Sequence, residues 1–205
     1  MGWPDTESFR LQPRQSVGFY GNSITHWYGG PERPDHPLGL GYCAMIGRML
    51  TRIYQDFGLL IHDRGISGNR ISHLLERFDR DVVPLKPNWI SLLVGINDTA
   101  SETNPGTPTA DFERDYRALL ERIKGQAQVV MMTPFFLSVP GGSRKLTADL
   151  SEKIDVVTAL ADTYADVFIP LHQYVAELGK QIDPALLVPD GVHPSQMGHG
   201  LIADH

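Results

Sequence analysis

Three short apolar stretches of this chain end in the same way, and that recurrence limits what the chain can fold into. Residues 17–20 run into Gly21-Asn22-Ser23-Ile24-Thr25. Residues 58–63 run into Arg64-Gly65-Ile66-Ser67-Gly68-Asn69, and residues 89–94 into Gly95-Ile96-Asn97-Asp98-Thr99. Each stretch has the length and the apolar character of a buried strand, and each stops at glycine and small polar residues that turn the chain. Between and after them, apolar residues recur at helical spacing. Tyr42, Met45, Ile46, Met49, Leu50, Ile53, Tyr54 and Phe57 form one such stripe. Phe112, Tyr116, Leu119, Leu120 and Ile123 form a second, and Leu150, Ile154, Val157, Ala161 and Tyr164 a third. Further strands are expected over 129–133 and 167–170. Strands alternating with helices predict an α/β fold with a parallel sheet, helices on both faces and right-handed crossovers. Ligands of such sheets bind beyond the C-terminal ends of the strands, which is where the three turns lie.

The turns carry side chains suited to chemistry. Ser23, just past a strand end and beside Gly21, has the placement of a nucleophile, although a serine there equally suits a helix cap. Asn97 offers an uncharged donor fit for an oxyanion, or an Asx turn. Near the end of the chain stands Val188-Pro189-Asp190-Gly191-Val192-His193-Pro194. An aspartate three residues before a histidine lets one loop hold both, so that the carboxylate fixes the imidazole tautomer and leaves the other nitrogen for a serine. Residues 29–41, rich in glycine and proline, follow Ser23 directly and are expected to wall the site. The Gly-x-Ser-x-Gly elbow is absent, because residue 25 is Thr.

A chain of 205 residues suits one domain, here 1–205, with 1–15 as a polar N-terminal arm. A net charge of -6 without a basic cluster speaks against nucleic acid as a partner. No stretch is long enough to span a membrane, and no secretory leader opens the chain, so the expected compartment is the cytoplasm. The lone Cys43 lies in a helical stripe and is expected in the core. The eight histidines show no metal-ligand spacing, and no metal or organic cofactor is expected. A homo-oligomer is compatible with the sequence.

Taken together, Gly21-Asn22-Ser23-Ile24-Thr25, the turn from Asp63 to Asn69, Gly95-Ile96-Asn97-Asp98 and Asp190 to His193 resemble, in order and spacing, the blocks of the SGNH (GDSL-type) hydrolases. The strings Arg64 to Asn69, Gly95 to Asp98 and Met132-Thr133-Pro134-Phe135 are most similar to the branch containing acetylxylan esterases. The resemblance implies a three-layer α/β/α sandwich with a five-stranded parallel sheet in flavodoxin-like order. It implies Ser23, His193 and Asp190 as the catalytic triad and Ser23, Gly65 and Asn97 as the oxyanion hole, with Asn22, Asp63 and Asp98 in support. It also implies a longer final helix than the residues after His199 supply, so the chain is expected to stop short of the family's usual end.

Two positions depart from the family pattern. Residue 22 is Asn where Asp is usual, and residue 63 is Asp where Asn is usual. Because the donor and acceptor have changed places, Asn22 and Asp63 are expected to be linked, directly or through one water. The activity implied is hydrolysis of O-acetyl esters through an acyl-enzyme, on carbohydrates such as acetylated xylo-oligosaccharides. A short-chain lipid esterase or thioesterase is the alternative, and a non-catalytic binding module the third reading.

Overall fold

The computed structural model describes residues 11–30, 33, 35–140 and 149–205. Residues 1–10 of the N-terminal arm and residues 141–148, ahead of the third helical stripe, therefore lie outside the described residues. Five strands, β1 (Ser16–Gly21), β2 (Leu60–Gly65), β3 (Trp89–Leu93), β4 (Gln128–Met132) and β5 (Val167–Ile169), form one parallel sheet in the order β2-β1-β3-β4-β5. The helices are α1 (Ser23–His26), α2 (Tyr42–Ile53), α3 (Ile71–Asp81), α4 (Thr109–Ile123), α5 (Asp149–Tyr164), α6 (Leu171–Leu178), α7 (Pro184–Leu187) and α8 (Gln196–Asp204).

Side chains alternate across the sheet as the strand period requires. Val17, Phe19, Trp89 and Met132 face a core shared with α2, α6, α7 and α8. Tyr20, Ile90, Leu92 and Met131 face a second core built on α3, α4 and α5. This is the three-layer sandwich expected, with helices on both faces and β1 buried along its whole length. No helix among the described residues is long and apolar enough to cross a membrane.

Boundaries moved where pairing overrode local pattern. The second strand, expected over 58–63, occupies Leu60–Gly65, because it pairs with β1 from Ser16 opposite Leu60 to Gly21 opposite Gly65. Gly65 is thereby the last residue of a strand and not part of the turn. The stripe expected to end at Phe57 stops being α-helical at Ile53, and Gln55–Phe57 continue as a 3-10 turn.

Candidate active site

β1 ends at Gly21, and Asn22 caps the short helix α1 by accepting the Ile24 N–H at 3.0 Å. Because Asn22 is the cap, Ser23 occupies the first helical position and its hydroxyl is left for another partner. That partner is His193: Ser23 Oγ lies 2.9 Å from His193 Nε2. His193 Nδ1 lies 2.8 Å from Asp190 Oδ2. A carboxylate only accepts, so Nδ1 carries the proton and Nε2 is free to take the serine's. The other Asp190 oxygen accepts the backbone N–H groups of Val192 and His193, at 2.9 and 2.7 Å. Partial burial would raise the Asp190 pKa, but the His193 N–H, the His193 ring and the Val192 N–H outweigh it and hold the carboxyl below its ordinary value. Asp190 therefore stays ionised and the loop after α7 is tied to its own side chain.

Behind the triad stands a histidine that the sequence pattern did not single out. His199, fully buried on α8, accepts the Tyr42 N–H at its Nδ1 (3.2 Å) and has the Trp27 ring 4.6 Å from its own. Burial, then the proximity of His193, pushes its pKa down to about 4. It stays neutral and brings no competing charge to His193. Trp27 also faces His193, with ring centroids 6.3 Å apart, and carries the exposed Tyr28 edge-on to it. The two aromatics thus form one wall beside the base.

On the opposite side, Asn97 donates from Nδ2 to the carbonyl of Asn69 at 3.0 Å, which leaves its second amide proton uncommitted to that bond. Asp98, fully buried, accepts the Ile71 N–H at the start of α3 and the Thr107 hydroxyl at 2.9 Å. It fixes the turn after β3 against the turn after β2. Burial raises its pKa to about 6 despite those hydrogen bonds.

Gly65 does not play the part expected of it. Its N–H is donated to Asp63 Oδ1 at 2.7 Å, inside the buried end of β2, and is unavailable to a substrate. A glycine is needed there for another reason. A Cβ at residue 65 would stand 2.3 Å from the His26 backbone nitrogen, so only glycine lets α1 lie on the strand. The bare N–H of this turn belongs instead to Gly68. Gly68 has φ +79°, is exposed, and its N–H has no partner among the described residues. It immediately precedes Asn69, the residue to which Asn97 is tethered.

The direct hydrogen bond expected between Asn22 and Asp63 is not made. Asn22 Oδ1 serves the cap and Asp63 Oδ1 serves Gly65, while Asn22 Nδ2 and Asp63 Oδ2 are buried without a hydrogen-bond partner among the described residues. Keeping Asn at 22 costs the cap nothing, since the amide oxygen accepts as a carboxylate would. Burial pushes the Asp63 carboxyl up to about 8, against the lowering effects of the Gly65 N–H, Arg64 and Arg77.

Among the described residues no group of three or more His, Cys, Asp or Glu could hold a metal ion. Cys43 is buried in the core, as its stripe predicted.

A parallel α/β/α sandwich with a serine, an imidazole and a carboxylate in hydrogen-bonded series at its C-terminal edge defines a serine hydrolase. A model of the GDSL-like Lipase/Acylhydrolase family matches residues 19–201. The chain belongs to that family, and is a carboxylic ester hydrolase with a Ser-His-Asp triad. It is 30% identical over 198 residues to an acetylxylan esterase of Geobacillus stearothermophilus, covering 90% of this chain and 89% of that protein. A crystal structure of an acetylxylan esterase from the same organism superposes with a TM-score of 0.85 at 27% identity, covering 96% of this chain and 94% of that one. An alpha/beta hydrolase from the metagenome of Lake Arreo, Spain, matches with a TM-score of 0.83 at 23% identity over 95% of this chain and 94% of its own, a likeness of fold.

Proposed function

We propose that this protein removes O-acetyl groups from carbohydrate esters such as acetylated xylo-oligosaccharides. The observation that carries the chemistry is the unbroken series from Ser23 Oγ through His193 to Asp190, at 2.9 and 2.8 Å. The acetylxylan esterase relative, similar over nine tenths of the chain, supports the choice of substrate.

The steps follow from the geometry. Ser23 Oγ attacks the ester carbonyl while His193 Nε2 takes its proton. The imidazolium that forms is stabilised by Asp190, which remains a carboxylate. Charge developing on the carbonyl oxygen is received by the Ser23 N–H, the free Asn97 amide proton and the Gly68 N–H, donors fixed before the reaction begins. His193 returns its proton to the leaving sugar hydroxyl as the tetrahedral intermediate collapses to acetyl-Ser23. Water then enters by the same route, with His193 as base, and acetate and free Ser23 result. Trp27 and Tyr28 supply an aromatic wall on which a sugar ring can lie.

A hydrolysis panel tests the reading. Acetylated xylo-oligosaccharides and p-nitrophenyl acetate are expected to exceed p-nitrophenyl butyrate and longer esters in kcat/KM. A kcat/KM that rises with acyl length would replace the carbohydrate reading by the lipid one.

A further inference from the structure

Arg77 is a buried charge that the mechanism above does not use. It sits on α3 with 7% of its surface exposed, among Ile71, Leu74 and Phe78, which are buried with it. Burying a guanidinium is costly unless its donors are met, and here they are met from separate parts of the chain. Nη1 donates to Asp81 Oδ2 at 2.8 Å, further along α3. Nη2 donates to the carbonyl of Gly21 at 3.1 Å, two residues before the nucleophile. Nε donates to Asn69 Oδ1 at 2.7 Å, on the turn after β2. The guanidinium also stacks on the Tyr20 ring at 4.3 Å, so the end of β1 is held from its side chain as well as its backbone.

Asn69 is therefore gripped twice. Its side chain is held by Arg77, and its carbonyl by Asn97 Nδ2. We infer that Arg77 is a positioning residue for acyl transfer: it sets the distance between the nucleophile turn and the oxyanion donors by bonding Gly21 and Asn69 at once. The planar fork of arginine suits this task. A lysine at the same place is a point charge that cannot reproduce the divergent donors. The orientation of Asn97 and of the Gly68 N–H thus depends on a residue that never touches substrate. This inference rests on the oxyanion assignment made above.

The test uses the whole protein, p-nitrophenyl acetate, and the variants Arg77→Lys, Asn69→Ala and Asn97→Ala. Arg77→Lys and Asn69→Ala are each expected to lower kcat roughly 10- to 100-fold, the scale on which a misplacement of about an ångström acts, with little change in KM. The decisive readout is coupling. In the Asn97→Ala background, either change should cost markedly less than it does alone, because one of the donors being positioned is already gone. Losses that multiply in the double variants would overturn the inference, as would a folded Arg77→Lys or Asn69→Ala protein with kcat within about twofold of wild type. Should Arg77→Lys fail to fold, Asn69→Ala decides by the same criteria, since it removes the relay and leaves Arg77 its bonds to Gly21 and Asp81. Ser23-dependent labelling by a phosphonate, and the size of the Asn97→Ala effect alone, test the underlying mechanism separately. If those hold and the coupling is absent, only the role of Arg77 falls.

Discussion

Asp63 offers a measurement in which stability, not activity, reports on the site. Its side chain is fully buried at the end of β2, and its only hydrogen bond among the described residues is the one accepted at Oδ1 from Gly65. A carboxylate buried with one donor is poorly solvated, which is why its pKa is pushed from 3.8 up to about 8. The charges of Arg64 and Arg77 and the Gly65 N–H pull the other way but do not win. A raised folded pKa means that the native state keeps a proton the unfolded chain gives up. The stability from Asp63 is complete below about 3.8 and is lost as pH rises towards about 8. The slope is about 1.4 kcal/mol per pH unit, so wild type should lose about 3 kcal/mol between about pH 5 and 7 through this group. Asp63→Asn removes the titration while keeping an acceptor for Gly65. Urea unfolding of both proteins at a series of pH values isolates the effect, because Asp98 and other titrating groups are common to both and cancel. The difference in unfolding free energy should move in favour of the variant by that amount as pH rises. A difference that stays flat from pH 5 to 8 would refute the argument and mean that Asp63 is ionised, with partners for both oxygens.

Other expectations concern the reaction and the nucleophile turn. A serine-directed phosphonate should add its mass to wild type and not to Ser23→Ala; a label found on Ser67 or Ser91 would reassign the nucleophile. Asn97→Ala should lower kcat by about 10²–10³ with KM little changed, since an oxyanion donor acts chiefly in the transition state. A change confined to KM would make Asn97 a binding residue. Asn22→Ala should cost about 1 kcal/mol in thermal or urea unfolding, the usual worth of a side-chain cap. No loss would show that the bond from Ile24 contributes nothing net.

Much of this site was legible because its parts are local. Asp190 and His193 share one loop, so their spacing carried their relation. Ser23 and Asn97 each follow an apolar run whose end can be read from glycine. What was not legible depends on contacts between distant segments. Gly65 and Gly68 look alike in sequence, and only the register of β2 on β1 shows that Gly65 ends a strand with its N–H taken by the Asp63 carboxylate. α3 was implied only by the alternation of strands and helices and had no residues assigned to it, although Ile71, Leu74 and Phe78 have helical spacing. Even then Arg77 would have looked like a surface charge, for its acceptors at Gly21 and Asn69 are supplied by tertiary structure. His199 was visible only as part of Gly-His-Gly, and its burial against Trp27 and Tyr42 comes from the docking of α8 on α2.

The strand order explains why these pieces meet where they do. β1 lies between β2 and β3, so the chain leaves β1 in one direction to build β2 and must pass back over it to build β3. α2 and α3 consequently lie on opposite faces of the sheet, and the turns after β1, β2 and β3 open a crevice between them. The nucleophile stands on the middle strand of the three. Asn97 and Gly68, the proposed oxyanion donors, follow the strands on either side, and Arg77 can reach both Gly21 and Asn69 because α3 starts from the same crevice. The turn after β1 is packed from both sides, with Asn22 and Thr25 fully buried and Ser23 half-buried between them. Acyl transfer needs a nucleophile and oxyanion donors that do not shift relative to each other during the reaction. A parallel sheet with a reversal at β1 supplies part of that rigidity from backbone pairing, while the loop carrying Asp190 and His193 is set by the N–H groups bound to Asp190 and by the Leu137 N–H donated to the Gly191 carbonyl.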